Sequence, residues 1–463
     1  MIYFLAAVSA IAGLLFGYDE GVIAVASPSL EADYPMSALS SGFMTAAVPL
    51  GALVGAILAG RLTERFGRRR VLMLAASLFA IGALSAAMIE AIWMLILARL
   101  VLGLAIGVAA VVSPLYIAEA APRAIRGALV STYQLAITFG IVVSYLTGLL
   151  ITGPGTWRIM FAFGAVPGLL FLLGLIFLPE SPRWLVLQGR DREATANLGR
   201  LRGGTDGVVT EIAEISRFTS ADTGSGAGLA ALLQPAVRPA LVIGVGLFFL
   251  QQLSGINAVI YYAPVIFNHA GFDDHKTQVM ATVGVGMVNF LVTILAMWLV
   301  DHWGRRPLLM VGFAGTAASL LLIAAAVLLP SVLPAWIVIV ALLAYIASFA
   351  VSLGPLPFVM MSEVFPLRVR GPGMSMASVS NWGFNFIVVF LFPSMLSAIG
   401  LAGTFTLFAV VCLAGIGFTL MRVPETSGVS LEQIEAHLRA GHRLRALSRS
   451  DIVPSAAGNR TVP

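Results

Sequence analysis

Residues 251–264 read QQLSGINAVIYYAP, and within one apolar stretch they carry Gln251, Gln252, Asn257, Tyr261 and Tyr262. Side-chain amides both donate and accept hydrogen bonds without adding charge, which suits an uncharged ligand rich in hydroxyl groups. Left unpaired away from water, each such group costs free energy. They therefore bond to one another and to neighbouring helices, or they wait for something polar to arrive. Gln134, Asn289, Asn381 and Asn385 are further amides in apolar surroundings. Taken singly, each has a plain explanation as a hydrogen bond between helices; the cluster at 251–262 is harder to explain that way. Aromatic faces can pack on the C–H side of such a ligand, which points to Phe16, Tyr262, Phe358 and Trp382.

Ionisable groups form a second set. Asp19 in FGYDEGV and Arg99 in LARLVLG stand inside apolar runs, where a charge is expensive and marks function by default. They form either a structural ion pair or a proton site. Burial favours the neutral acid and a nearby guanidinium favours the carboxylate, so movement of the arginine can load or release a proton. Glu20 points about 100° away from Asp19 on a helix, so the two cannot share a partner; Glu20 is expected near the outer mouth, solvated.

The chain that must position these groups has 463 residues, 59% hydrophobic and 11% charged. Soluble domains carry about 25% charged residues, so the composition is that of a polytopic, all-α membrane protein. Continuous apolar runs argue against a membrane barrel, which needs short alternating segments. Runs of about 20 residues give twelve spans, at 2–27, 41–60, 71–89, 92–117, 125–151, 157–178, 237–268, 278–300, 307–329, 335–361, 371–397 and 401–422. Span 1 is too long for a secretory apolar region and reads as a retained helix. Arg61, Arg65, Arg68, Arg69, Arg70, Arg123, Arg126, Arg305, Arg306, Arg368 and Arg370 fall in loops of one parity, and Glu31, Asp33, Glu90, Asp273 and Asp274 in the other. The positive-inside rule puts the arginine loops and both termini in the cytoplasm. Topology thus accounts for the net charge of +5, and no nucleic-acid partner is implied. Cys412 is the only cysteine, so neither an internal disulfide nor a cysteine metal site is expected; no metal or other cofactor is implied.

On an unbroken helix Gln252 and Asn257 would lie about 140° apart, too far round to share a small ligand. A break at Ser254–Gly255 turns both toward one cavity, as discontinuous helices do in carriers. SLGPLPF (352–358) predicts a second interruption in span 10, six spans after Gly103 and Gly107 in span 4.

Three motifs occur twice in the same order, at offsets of about 240 residues: ERFGRRR (64–70) and DHWGRRP (301–307), EAAPRAIRG (119–127) and EVFPLRVRG (363–371), PESPR (179–183) and PETSG (424–428). The chain is therefore two pseudo-symmetric six-helix halves, 1–185 and 237–425, with a linker at 186–236 and a tail at 426–463. Short cytoplasmic helices are expected in 191–218 and at 430–440, where Ser430 and Gln433 form a capping-box pattern. The motifs read as a cytoplasmic latch of Glu64, Arg68, Glu119, Arg126, Glu180, Asp301, Arg305, Glu363, Arg370 and Glu425, with Gly67 and Gly304 allowing tight turns.

GRLTERFGRRR, PESPRWL, QQLSGINAVIYYAP, DHWGRRP and PETSG resemble the signatures of the sugar porter family of the major facilitator superfamily, over essentially the full chain. Within it the chain is most similar to bacterial galactose–proton and xylose–proton symporters and to facilitative glucose transporters. The resemblance implies the major facilitator fold and sugar contacts at Gln134, Gln251, Gln252, Asn257, Asn289, Asn381 and Trp382, with Gly354 and Phe16 at the edge. It also implies a proton-coupling role for Asp19 partnered by Arg99; facilitative members usually carry asparagine at position 19. Glu64, Ser427, Phe358 and Ile141 depart from the pattern, standing where aspartate, lysine, tryptophan and, in the xylose symporter, glutamine are found. The expected function is monosaccharide–proton symport by a monomer in the cell (inner) membrane, the missing amide at 141 favouring a hexose such as glucose or galactose. Facilitated diffusion, a pentose or polyol cargo, a non-transporting sensor and a drug exporter are the alternatives. No nucleophile–base pair supports an enzyme.

Overall fold

The computed structural model describes residues 1–122, 125–151, 153, 155–204, 207–222, 229–235, 237–365 and 369–426. All regular structure among them is helical. In chain order the spans are span 1, Ile2–Asp33; span 2, Ala38–Phe66; span 3, Arg68–Ala87; span 4, Ile92–Ala120; span 5, Arg126–Leu150; and span 6, Trp157–Ile176. The second half continues with span 7, Arg238–His269; span 8, His275–Trp303; span 9, Arg305–Leu328; and span 10, Trp336–Met361. A last helical run, Arg370–Arg422, is broken at Gly400, whose φ of 69° divides it into spans 11 and 12 where the sequence places the boundary. Large apolar side chains such as Leu84, Leu97, Leu169, Leu295 and Leu413 face outward from the bundle, an arrangement that only a hydrocarbon surrounding makes favourable. The protein spans a membrane.

Helix ends follow local chemistry. Ser37 caps span 2 by accepting from Ser40 N at 3.2 Å, and Asp274 caps span 8 by accepting from Thr277 N at 2.9 Å. The Thr277 hydroxyl and amide hold the Asp274 carboxyl below the usual carboxylate range. Span 1 runs six residues beyond the expected end at 27, and spans 1 and 2 outlast the ~20 residues that the hydrocarbon core requires.

Within the first half, spans 1 and 5 lie against each other along Gly13, Gly17 and Gly21. A Cβ on Gly17 would sit 1.8 Å from Ile137 O, so only glycine allows this approach. Span 4 runs unbroken through Gly103 and Gly107, which seat it on span 2 at Val48 and Ala52. The halves meet at the end opposite the arginine loops, where Phe43 packs on Phe390 at 6.1 Å and Gly42 lies against the Phe390 carbonyl. Nearer the centre Phe139 meets Phe290 at 5.7 Å and Tyr145 donates to Ile260 O at 2.8 Å. At the arginine-rich end, the described ion pairs Arg68–Glu119 and Arg305–Glu363 each join residues of one half.

Pro182–Leu187, Asp191–Arg202 and Val208–Asp222 form short helices after span 6. Their own apolar cluster holds Trp184, Leu185, Ala194, Leu198, Val208 and Ile212. The Gly-Gly break falls where expected, with Gly203 left-handed at φ 80°. The first of these helices begins at Pro182 rather than beyond 186. The helix expected at 430–440, with Ser430 and Gln433, lies outside the described residues.

Candidate substrate and proton sites

Span 7 is two helices, Arg238–Leu253 and Ile256–His269, joined through Gly255 at φ 91°. A side chain there would be strained by the left-handed backbone and would strike Phe408, 2.3 Å from the place of a Cβ. The break turns two amides onto one another: Asn257 Nδ2 donates to Gln252 Oε1 at 2.6 Å. Gln252 Nε2 in turn donates to Asn381 Oδ1 at 2.6 Å, tying span 7 to span 11. Gln251 Nε2 donates to Leu353 O at 2.7 Å and Gly354 O at 3.3 Å. Those carbonyls lie at the interruption of span 10, where the π-helical turn Phe349–Leu353 precedes Pro355. Gln251 Oε1 and Asn385 Oδ1 are buried without a partner.

Phe16 reaches across from the first half to Trp382 at 5.2 Å. Gln134 is half-buried and Asn289 nearly buried; neither side chain joins the chain of amide bonds among the described residues. Phe358 is 43% exposed and meets Phe248 edge-on at 4.9 Å. Tyr262, expected to offer its ring to a ligand, stacks on Phe392 at 5.0 Å and donates to Val389 O at 3.4 Å. Its own φ of −119° marks a kink in this helix.

Asp19 and Arg99 are 2% and 0% exposed and face each other, with Arg99 Nη2 3.7 Å from Asp19 Oδ2. That distance allows attraction but no formed hydrogen bond. Arg99 is held instead by span 2, its Nε donating to Met44 O at 3.0 Å and its Nη2 to Thr45 O at 3.4 Å. Pro49 lacks the N–H that would bond Thr45 O, so the proline frees the carbonyl that the arginine takes. Arg99 Nη1 and Asp19 Oδ2 keep unused hydrogen-bonding capacity. Glu20 is a correction. It is 4% exposed rather than solvated at a mouth, and its carboxyl faces the Tyr261 hydroxyl. Span 1 extends to Asp33, which puts residue 20 near mid-span against span 7.

The duplicated motifs build two matching constructions. Gly67 and Gly304 adopt φ 89° and 88°. The amides after them, Arg68 N and Arg305 N, donate to Glu180 at 2.8 Å and Glu425 at 3.0 Å. Arg69 N and Arg306 N add a second bond to each carboxylate, an anion seated on a helix N-terminus in both halves. Arg68 pairs with Glu119 at 2.7 Å and Arg305 with Glu363 at 2.9 Å. Ser181 and Thr426 complete them, donating to Glu119 at 2.6 Å and Glu363 at 2.5 Å. These hydroxyls were not singled out from the sequence, although one follows the glutamate in both PES and PET. Among the described residues Arg126 reaches Ala121 O, at 3.4 Å. Glu64 departs from expectation: its exposed carboxylate enters no described ion pair, and its carbonyl accepts from Trp184 Nε1 at 2.9 Å. The side chains of Asp301 and Arg370 lie outside the description.

The family model for "Sugar (and other) transporter" matches residues 5–438. The chain belongs to the sugar transporter family. It is 39% identical to the galactose-proton symporter of Escherichia coli (strain K12) over 454 residues, 97% of each chain. It is 40% identical to the D-xylose transporter of Levilactobacillus brevis, covering 93% of this chain and 94% of that one. A partially occluded, inward-open structure of the xylose transporter XylE from E. coli superposes with a TM-score of 0.82 at 31% identity, over 93% of this chain and 99% of that one. The family is one of carriers, so the chemistry to explain is binding and release across a membrane. Ile141 is buried on span 5, its backbone nitrogen lying close to Gly17 of span 1.

Proposed function

We propose that this transporter carries a monosaccharide together with a proton by alternating access, taking up a hexose such as glucose or galactose across the cell membrane. The observation that carries the reading is the amide relay Asn257–Gln252–Asn381 beside the unpartnered Gln251 Oε1. The relay is complete without ligand, so hydroxyls entering it exchange one set of hydrogen bonds for another at little net cost. Gln134, Asn289, Phe16, Trp382, Phe358 and Gly354 are the remaining proposed contacts. Related carriers are named for galactose, xylose and arabinose, so the choice of hexose rests on Ile141 alone.

Proton coupling is assigned to Asp19 and Arg99, buried together and incompletely bonded. The arginine-rich end and both termini are placed in the cytoplasm by the positive-inside rule, and the carrier works as a monomer in the bilayer. The structure would then be closed toward the outside, with the two inner latch constructions separate. Uptake of a panel of labelled sugars into proteoliposomes, with and without a pH gradient, tests this. Hexose accumulation abolished by a protonophore is the expected result. Equilibration indifferent to the gradient would make the protein a facilitative carrier, and preference for xylose or arabinose would overturn the hexose assignment.

A further inference from the structure

Glu20 has no part in the site just described. Phe16 lies one helical turn before it on the same face of span 1, and Phe16 already reaches Trp382 in the other half. Glu20 accordingly faces the seam between the halves, whereas Asp19 turns inward to Arg99. Its surroundings can be named from every side. On its own helix stand Asp19, also acidic, and Tyr18, whose hydroxyl is committed to Met160 O at 2.7 Å. Span 5, packed on span 1, carries the buried Tyr133 and Tyr145, the latter's hydroxyl donating to Ile260 O at 2.8 Å. Span 7 presents Tyr261, whose hydroxyl faces the Glu20 carboxyl. Span 4 presents Arg99, already beside Asp19. Among the described residues no cation faces Glu20.

The polar groups there are also underused. Tyr261 is 1% exposed, and its hydroxyl, like that of Tyr133, lacks a well-formed hydrogen bond. An ionised carboxylate buried without a cationic partner is strongly unfavourable, whereas a neutral acid among hydroxyls is tolerated. Closing span 1 against span 7 therefore favours an arrangement in which Glu20 carries a proton. Parting the same helices would wet it and let the proton leave.

We propose that Glu20 is a second proton-binding carboxyl of this carrier, set in the seam between the halves, and that the end of the bundle opposite the arginine loops closes only when Glu20 is protonated. The site binds a proton and serves gating, distinct from the Asp19–Arg99 pair. The inference rests on the sugar-transport reading but not on Asp19 being the coupling site.

Sugar counterflow at equal concentrations, measured in proteoliposomes between pH 5.5 and 9, isolates it in the Asp19→Asn background, and the same comparison is made in the wild-type chain if that variant does not exchange. If closure needs one proton on Glu20, exchange at the alkaline end falls by about tenfold per pH unit, as the competent fraction falls. Adding Glu20→Gln should flatten that profile while exchange continues. An unchanged profile in the double variant overturns the proposal. If the glutamine variant does not fold, Glu20→Asp takes its place and must shift the midpoint; a midpoint that stays put overturns the proposal equally. Failure of the wild-type chain to exchange any sugar would sink the sugar reading itself, a result distinct from either.

Discussion

The two halves share a scaffold and differ in what they bury. At the arginine-rich end they match bond for bond: a left-handed glycine, two amides on a glutamate, an arginine–glutamate pair and a hydroxyl on that pair. Inside the membrane the match ends. The first half keeps spans 1 and 4 unbroken and buries Asp19, Glu20 and Arg99. The second breaks spans 7 and 10 and buries Gln251, Gln252 and Asn257. The difference fits the proposed division, a proton site in the first half and a sugar site in the second. A charge needs a rigid, desolvated place with a partner at fixed distance, which continuous helices provide. A neutral ligand needs converging donors and acceptors, which a broken helix brings together and an intact one spreads round its circumference.

The largest effect is expected where that division is tested directly. A membrane potential supplies about 2.3 kcal/mol per 100 mV for each charge moved, so one proton per sugar sustains roughly fiftyfold accumulation, since each 1.4 kcal/mol is tenfold. Asp19→Asn keeps size and hydrogen bonding but cannot ionise. Accumulation should fall to none while binding and exchange persist. A variant that still concentrates sugar in response to a pH gradient removes Asp19 from coupling. One that folds yet neither binds nor exchanges sugar makes the Asp19–Arg99 pair structural and breaks the division of labour.

The second half is tested at Gln251 and Gln252. Removing a buried partner strands the other group at a cost of about 1–3 kcal/mol, or about tenfold to hundredfold in affinity. Gln252→Ala should show the larger loss, because Gln252 bonds both Asn257 and Asn381. Gln251→Ala strands only backbone carbonyls at the span 10 break. Unchanged sugar affinity by calorimetry in both variants would remove the amides from the site.

How much of this could be read from sequence follows the same line. Spans and repeat were legible because hydrocarbon imposes length and duplication imposes register; the boundary at Gly400 and the break at Gly255 were visible as glycines in apolar runs. Whether a side chain faces ligand or protein was not. Tyr262 looked like its polar neighbours, and nothing in the sequence shows that its ring stacks on Phe392. Glu20 looked like a mouth residue because nothing in one sequence shows which helix covers it. Ser181 and Thr426 were visible in PES and PET, but a hydroxyl signals little without the glutamate it meets in space.

A second kind of variant separates scaffold from function. Glu119→Gln and Glu363→Gln remove the charge that Arg68 and Arg305 face while keeping an acceptor, and because both pairs are largely buried each should cost about 3 kcal/mol of stability. The shared construction predicts similar losses in thermal stability. Labelling of single engineered cysteines at the two ends, in a chain with Cys412 replaced, should shift in the same direction for both. Unequal losses, with one variant unfolding and the other indifferent, would show the repeat to be geometric only. No shift in labelling for either would confine the latch to folding.

The smallest effect sharpens the aromatic boundary of the site. Phe358 is 43% exposed and meets Phe248 edge-on, so a larger ring has room to grow outward instead of into packed protein. Overpacking a filled core costs about 1–3 kcal/mol, and that penalty should be absent here. Phe358→Trp should fold normally and hold sugar more tightly than the parent, by up to about tenfold, since an aromatic contact is worth about 0.5–1.5 kcal/mol and each 1.4 kcal/mol is tenfold. The measurement is binding of the transported sugar by calorimetry, beside thermal stability in the same detergent. Tighter binding with stability intact would place Phe358 on the rim of the sugar site. Lost stability would mean that the position is filled in the protein's working state. Unaltered binding with unaltered stability would take the ring out of the site and leave Phe16 and Trp382 as its aromatic wall.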